Sequence, residues 1–355
     1  MATYYVGIGG NDGNNGTTWA LRKLTLNGAE DIPVAANDTV YVGPGTYREL
    51  LTVDVSGTTS NPITYIGDYD GTHTDGVGGV VRITGSADDI ALTRANCITA
   101  TSKDYRTFRG FYMDGCSSYV ITLLTACGNW IIDQCYLMNC KNDRTMTIAG
   151  TGTTNTIKNC FFWNTKDYSG IAFTHSSVVD NAAHTVQNCI FLSGGPGVRS
   201  TRIGGITIKN NLFMGGTSGI QVDTALTLGQ TIVVNNNLFV NLGTALQGTV
   251  TGEIVENYNN FIGCTTNRTN TDTGANSLVD LIVPDARWFF ELVSGKGRML
   301  SPFDLSSGSP LLNVAGTSPS STDMRNTGTV GTQREWGALE YDSTLLYRRV
   351  LPRGI

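Results

Sequence analysis

The chain has 355 residues and a formal net charge of −5, with 15% charged and 40% hydrophobic residues. Its 43 Gly, 48 Thr and 29 Asn suit strands joined by tight turns with positive φ. That composition excludes collagen, a helical bundle and a disordered chain; the length could hold two average domains but also suits one all-β body large enough to bury a core without staples.

The first residues, Met1-Ala2-Thr3-Tyr4-Tyr5, carry no basic stretch followed by an apolar one, so the expectation is a chain without a secretory leader. From Tyr4 to Leu24 the sequence YYVGIGGNDGNNGTTWALRKL reads as a strand, a Gly/Asn/Asp loop and a short helix capped by Thr17 or Thr18. This segment, residues 1–37, is expected to cover the apolar opening of the body that begins at Asp38. Asp12 in the loop reads as a turn stabiliser rather than a calcium ligand. DTVYVGPGTYREL from Asp38 reads as a strand, a Pro-Gly turn and a second strand.

A repeat then runs through the middle of the chain: TFRGFYMDGC from Thr107, IIDQCYLMNC from Ile131, TIKNCFFWNT from Thr156 and TVQNCIFLSG from Thr185. It continues as TIKNNLFMGG from Thr207, VVNNNLFVNL from Val233 and a looser NYNNFIGC from Asn257. Taking Gly110, Gln134, Asn159, Asn188, Asn210, Asn236 and Asn259 as the bend of each copy, the steps run from 22 to 29 residues. That step is too long for a hairpin repeat and too irregular for a leucine-rich one. It predicts an all-β, single-stranded right-handed parallel β-helix over residues 38–264, its rungs about 4.8 Å apart.

Equivalent residues in such a coil form columns. Asn159, Asn188, Asn210, Asn236 and Asn259 are expected to form a hydrogen-bonded ladder, and Phe162, Phe191, Phe213 and Phe239 a core aromatic column. Cys135, Cys160 and Cys189 fall in one further column and Cys116 and Cys140 in another. They read as small buried fillers in a reducing compartment, since no His stands beside them and no C-x-x-C pair occurs. After Cys264 the repeat fades. Residues 265–341 read as an irregular C-terminal cap region and 342–355 as a tail.

These residues carry a resemblance. The opening segment, with VYVGPGTYRE, NPITYIGDYDGTHTDGVGGVVRITG from Asn61, SPLLNVAG from Ser309 and EWGALEY from Glu335, resembles bacterial and phage β-helix proteins of the pectate-lyase-like superfamily. The resemblance implies a fold but no single function, because that fold hosts lyases, hydrolases, adhesins and virion proteins.

The hydrolase pattern of that superfamily is incomplete. Asn270-Thr271-Asp272 lies past the regular repeat, the adjacent pair Asp88-Asp89 lies before it, and Gly-His-Gly and Arg-Ile-Lys are absent. For a lyase, the outward column Asp133, Lys158, Gln187, Lys209, Asn235 and Tyr258 offers Asp133 as a ligand beside Lys158 as a base. The same pair reads more simply as a surface ion pair worth at most about 1 kcal/mol. One carboxylate does not satisfy calcium, so calcium enters only under the lyase alternative and no other metal or cofactor is expected. His175, Ser176, Ser177, Asp180 and His184 cluster in the longest rung, but without a nucleophile turn or oxyanion donors they read as an inserted polar loop.

The mild acidic balance speaks against nucleic acid, and no run approaches the roughly 18 apolar residues of a membrane span. The reading is therefore a non-enzymatic structural or interaction protein. A bacteriophage virion surface protein, made in the host cytoplasm and decorating a head or tail, fits it, with other virion proteins, sister subunits (a trimer) or cell-surface polysaccharide as partners. The alternative is a secreted polysaccharide lyase or glycoside hydrolase. The tail DSTLLYRRVLPRGI is the expected docking peptide, through Leu345, Tyr347, Arg348, Arg349 and Arg353, since Arg forks to carboxylates and stacks on aromatics at interfaces. Folding back over its own last rung is the equal alternative for that tail.

Overall fold

The computed structural model describes residues 1–279 apart from 33, 139–143, 151–153, 165–167, 180–182 and 227–228, together with two short strands, Phe289–Phe290 and Asp304–Leu305. The chain winds as a right-handed parallel β-helix with three sheets. The first sheet runs from Thr3–Val6 to Ile254–Asn257, the second from Gly45–Tyr47 to Leu278–Val279, and the third from Leu51–Val53 to Thr266–Thr269. Every pairing within them is parallel. Most rungs pass from the first sheet through a two-residue bend into the second, turn into the third, and return by a loop; between Ile63–Gly67 and Val81–Thr84 the bend is replaced by residues 68–80.

The coil is longer at both ends than the repeat implies. Thr3–Val6 already pairs with Thr39–Val42, and Thr266–Thr269 and Leu278–Val279 add strands beyond Cys264. A 3-10 turn at Trp19–Leu21, capped by the Thr18 side chain, and the helix α1, Leu26–Glu30, capped by Thr25, cover the opening. Asp12 serves this cap: its carboxylate accepts from the Leu24 and Thr25 N–H groups (2.8 and 3.0 Å) and from Thr25 Oγ1 (2.9 Å).

The core is a stack of side chains alternating inward. Phe162, Phe191, Phe213, Phe239 and Phe261 stack face to face at 4.7 to 5.2 Å between ring centroids. That aromatic stack sets the register, because a slip of one residue would turn every ring outward. The bend residue of each rung is left-handed: Gln134, Asn159, Asn188, Asn210 and Asn236 have φ between 51° and 57°. Asn tolerates this region better than most L-residues.

Two expected columns shift at the last rung. Phe261 pairs with Phe239 and Asn257 with Asn235, so Tyr258, not Asn259, is the left-handed bend residue (φ 54°). Asn257 likewise takes the place expected for Tyr258 in the outward column of Asp133 and Lys158. Matching Asn to Asn slides the alignment by one, whereas the structure follows the phenylalanine. Asn259 belongs one position later, in the column of Cys135, Cys160, Cys189, Asn211 and Asn237.

That second column holds a continuous ladder. Asn211 and Asn237 each donate through Nδ2 to two carbonyls at 3.0 Å and to the Oδ1 of the next Asn. Their Oδ1 atoms accept the backbone N–H of the preceding rung, at 2.8 Å for Cys189 and 2.9 Å for Asn211. The thiols take the same place more weakly: Cys160 Sγ reaches the Ile132 and Lys158 carbonyls at 3.5 and 3.1 Å. In the bend column, Asn188 Nδ2 donates to Asn159 Oδ1 (3.1 Å) and Asn159 Nδ2 to Asp133 Oδ1 (2.7 Å). The described cysteines Cys97, Cys116, Cys127, Cys135, Cys160, Cys189 and Cys264 are free thiols; Cys140 lies outside the described residues.

Candidate functional site

The third sheet differs from the other two in its middle. Its strands lengthen to Ile171–Val179, Val198–Ile203 and Ser218–Thr224, and two register shifts fall there. One separates Ser200↔Val222 from Thr201↔Thr224, which leaves Asp223 as an extra residue. Bulges of this kind re-aim side chains and are frequent beside active sites. Asp223 here forms an ion pair with Arg199, accepts from Gln221 Nε2 (2.8 Å) and accepts from Thr201 Oγ1 (3.1 Å). Ser218 Oγ in turn holds Gln221 Oε1 at 3.0 Å.

An open pocket of about 530 Å³ lies on the preceding rungs of the same sheet, lined by Leu124, Thr125, Ala126, Ala149, Gly150, Thr174 and His175. Thr174 pairs with Thr201, which puts His175 on the rung next to the Arg199–Asp223 pair. Two consecutive lining residues, Thr125 and Ala126, have left-handed φ values of 45° and 51°, and Arg202 has 65°. Each such residue costs of order 1–3 kcal/mol, and strain of this kind gathers at functional sites. No motif marks this site: its residues come from separate rungs and meet only because rungs stack. The one sequence signal is the length of the 29-residue rung, which by itself reads as an inserted loop.

The lyase pair expected from the sequence lies on the first sheet. Lys158 Nζ is 3.7 Å from Asp133 Oδ2, and Arg109 Nε lies 3.8 Å from the same oxygen on the other side. With a cation on each flank and Oδ1 bonded to Asn159, Asp133 is a poor calcium ligand. Among the described residues no three His, Cys, Asp or Glu side chains converge as a metal site. Asp88 and Asp89 are also committed. Asp88 accepts the Ile90 and Ala91 N–H groups, and hydrogen bonds from Arg48 and then Arg82 hold Asp89 at about 2.

The histidines of the polar cluster part company. His175 lines the pocket, whereas His184 is buried, stacked on Phe173 at 4.8 Å, and accepts the Asn155 N–H through Nδ1 (3.2 Å). Burial pushes His184 down to about 4. Asp180 and the tail residues Leu345, Tyr347, Arg348, Arg349 and Arg353 lie outside the described residues.

No family model matches the sequence, and no curated protein matches it. Solved structures do match the fold. XylC in complex with xylose superposes with a TM-score of 0.56 at 13% identity, covering 78% of this chain and 66% of that one. A GH136 lacto-N-biosidase from Eubacterium ramulus gives 0.54 at 11%, covering 79% and 68%. A rhamnogalacturonan lyase gives 0.52 at 15%, covering 74% of each. In fold, the chain is a right-handed parallel β-helix, as these three superpositions show.

Proposed function

We propose that this protein holds an extended acidic polysaccharide against the outer face of the third sheet and cleaves it there by β-elimination. The observation that carries the reading is the pocket at His175 opening beside the Arg199–Asp223–Gln221 cluster. Arg199 offers a planar, permanently charged fork for a sugar carboxylate. Thr174, Thr201 and Gln221 offer hydroxyl and amide groups to sugar hydroxyls. His175, on the pocket wall, is the group placed to take the proton next to that carboxylate. Hydrolysis fits less well, since it needs two carboxylates across the scissile bond, and the oxygens of Asp223 are committed to Arg199, Thr201 and Gln221.

Neighbours named for xylose, lacto-N-biosidase and rhamnogalacturonan lyase keep company with this reading, although fold alone does not decide chemistry. Nothing in these matches supports a phage particle. The test is a panel of polyuronates and neutral glycans, with binding followed by affinity electrophoresis and cleavage by the ultraviolet absorbance of an unsaturated product. Arg199→Ala should weaken binding at least tenfold, and His175→Ala should abolish turnover while binding persists. Absence of binding to every acidic polysaccharide, or binding indifferent to Arg199→Ala, overturns the reading.

A further inference from the structure

The outer face of the first sheet carries a periodic row of cations, away from the pocket on the third. Phe108, Ile132, Ile157, Val186 and Ile208 are fully buried, so the residues that follow them point outward. Those residues stand in register, one per rung, and the row runs Arg109, Asp133, Lys158, Gln187, Lys209 and Asn235. The three cations fall on every second rung, so rungs about 4.8 Å apart set their Cα atoms about 9.6 Å apart. Two residues earlier in each strand, Thr107, Thr156, Thr185 and Thr207 form a parallel row of hydroxyls, with Ile131 in the gap.

The charge on this face is not balanced within it. Among the described strands from Arg106–Arg109 to Ile254–Asn257, Asp133 is the one outward acid. Its side chain is 11% exposed, whereas those of Arg109 and Lys158 are 44% and 33% exposed. Lys209 meets no acid among the described residues, and partial burial pulls its ammonium below the ordinary value. A carboxylate bound beside it would favour the charged form again. A chain of net charge −5 thus exposes a basic strip. The bends along one margin of the strip are two residues long and raise no wall there.

We propose that this face is a second, non-cleaving binding surface for an acidic polysaccharide, which lies along the coil axis with carboxylates on Arg109, Lys158 and Lys209 and hydroxyls on the threonine row. The two-rung period selects this occupant. A 1,4-linked polyuronate in its two-fold form turns every second carboxylate to the same side, at a repeat close to two rungs. Lys supplies a point charge and Arg a planar fork for such carboxylates, and Thr hydroxyls both donate to and accept from sugar hydroxyls. The ligand class rests on the reading given for the third sheet, while the face and its cations are separate from that site. A long polymer held on both faces gains avidity that neither face supplies alone.

The test measures binding of the full chain to long-chain polymannuronate. Arg199→Ala protein, weakened at the third sheet, should keep a residual affinity, and adding Lys158→Gln with Lys209→Gln should lower that residue at least tenfold. No residual binding, or binding indifferent to the two lysines, overturns the proposal. Binding that falls with the lysines but not with Arg199→Ala supports this face and sinks the pocket reading instead. Gln187→Lys with Lys209→Gln keeps the net charge, moves the third cation by one rung and leaves Asp133 both its cations, which guards against a folding defect. It should weaken binding as much as Lys209→Gln alone; binding as tight as that of the unshifted protein refutes the periodic match. Duplex DNA should not compete. If it binds as tightly and is lost in the same variants, the strip is a nucleic-acid surface and the proposal falls.

Discussion

Asn236 and Asn237 are adjacent, identical in type and both buried, yet they do different work. Asn236 supplies a left-handed backbone (φ 57°), whereas Asn237 ties three rungs together through its amide. Asn236→Gly keeps the backbone conformation and should cost less than the loss of the Asn237 amide. Asn237→Ala leaves the Asn211 N–H without its side-chain acceptor in a dry interior and should cost roughly 1–3 kcal/mol. Chemical denaturation of the two variants checks this, and equal losses would refute the division of labour. His184 makes a second residue-scale prediction. Its folded value near 4 lies below the ordinary 6.5, so the unfolded chain takes up the proton first. The stability it contributes is fully present above about pH 6.5 and is lost as the pH falls toward 4, by roughly 3 kcal/mol in all. Melting curves between pH 7 and 4 should show that slope, and His184→Gln should flatten it.

At the scale of elements, the N-terminal cap is fastened by charge. Glu30, at the end of α1, forms a buried ion pair with Arg106, accepts the Tyr65 hydroxyl hydrogen bond (2.6 Å) and accepts the Asp54 N–H (3.2 Å). Arg106 is wholly buried, its guanidinium 5.3 Å over the Tyr65 ring. Burial, and then the neighbouring Glu30, raises the Tyr65 hydroxyl well above its ordinary value. Glu30→Leu should therefore destabilise the protein by about 3–5 kcal/mol, since it leaves a buried guanidinium uncompensated. Adding Arg106→Met should restore much of that loss. A double variant no more stable than the single one would show that the cap depends on contacts other than this pair. The short cap and the Thr18 N-cap were legible, because Ser/Thr/Asp capping is a local signal, whereas the helix Leu26–Glu30 with its Thr25 cap lies past the segment read as the cap helix. The tie was not, because its partners are 76 residues apart and neither lies in a motif.

At the scale of the molecule, local rules set the coil. The alternation of apolar residues, the Asn or Gly at most bends and the phenylalanine that recurs from Phe162 onward agree with each other, so the repeat alone specified parallel stacking and the core column. The one slip, at Asn259, came from weighing a polar match above the aromatic that packs. The functional face was not legible for a different reason. A groove across rungs is built from residues 22 to 29 positions apart, each ordinary in its own neighbourhood. Arg199 and Asp223 resemble any exposed charges until the bulge in Ser218–Thr224 turns one toward the other. The sequence by itself thus determined the fold, because period and side-chain size act between near neighbours and repeat. Only the tertiary structure decided where the pocket opens and which acids are already paired, because those depend on how separate rungs superpose.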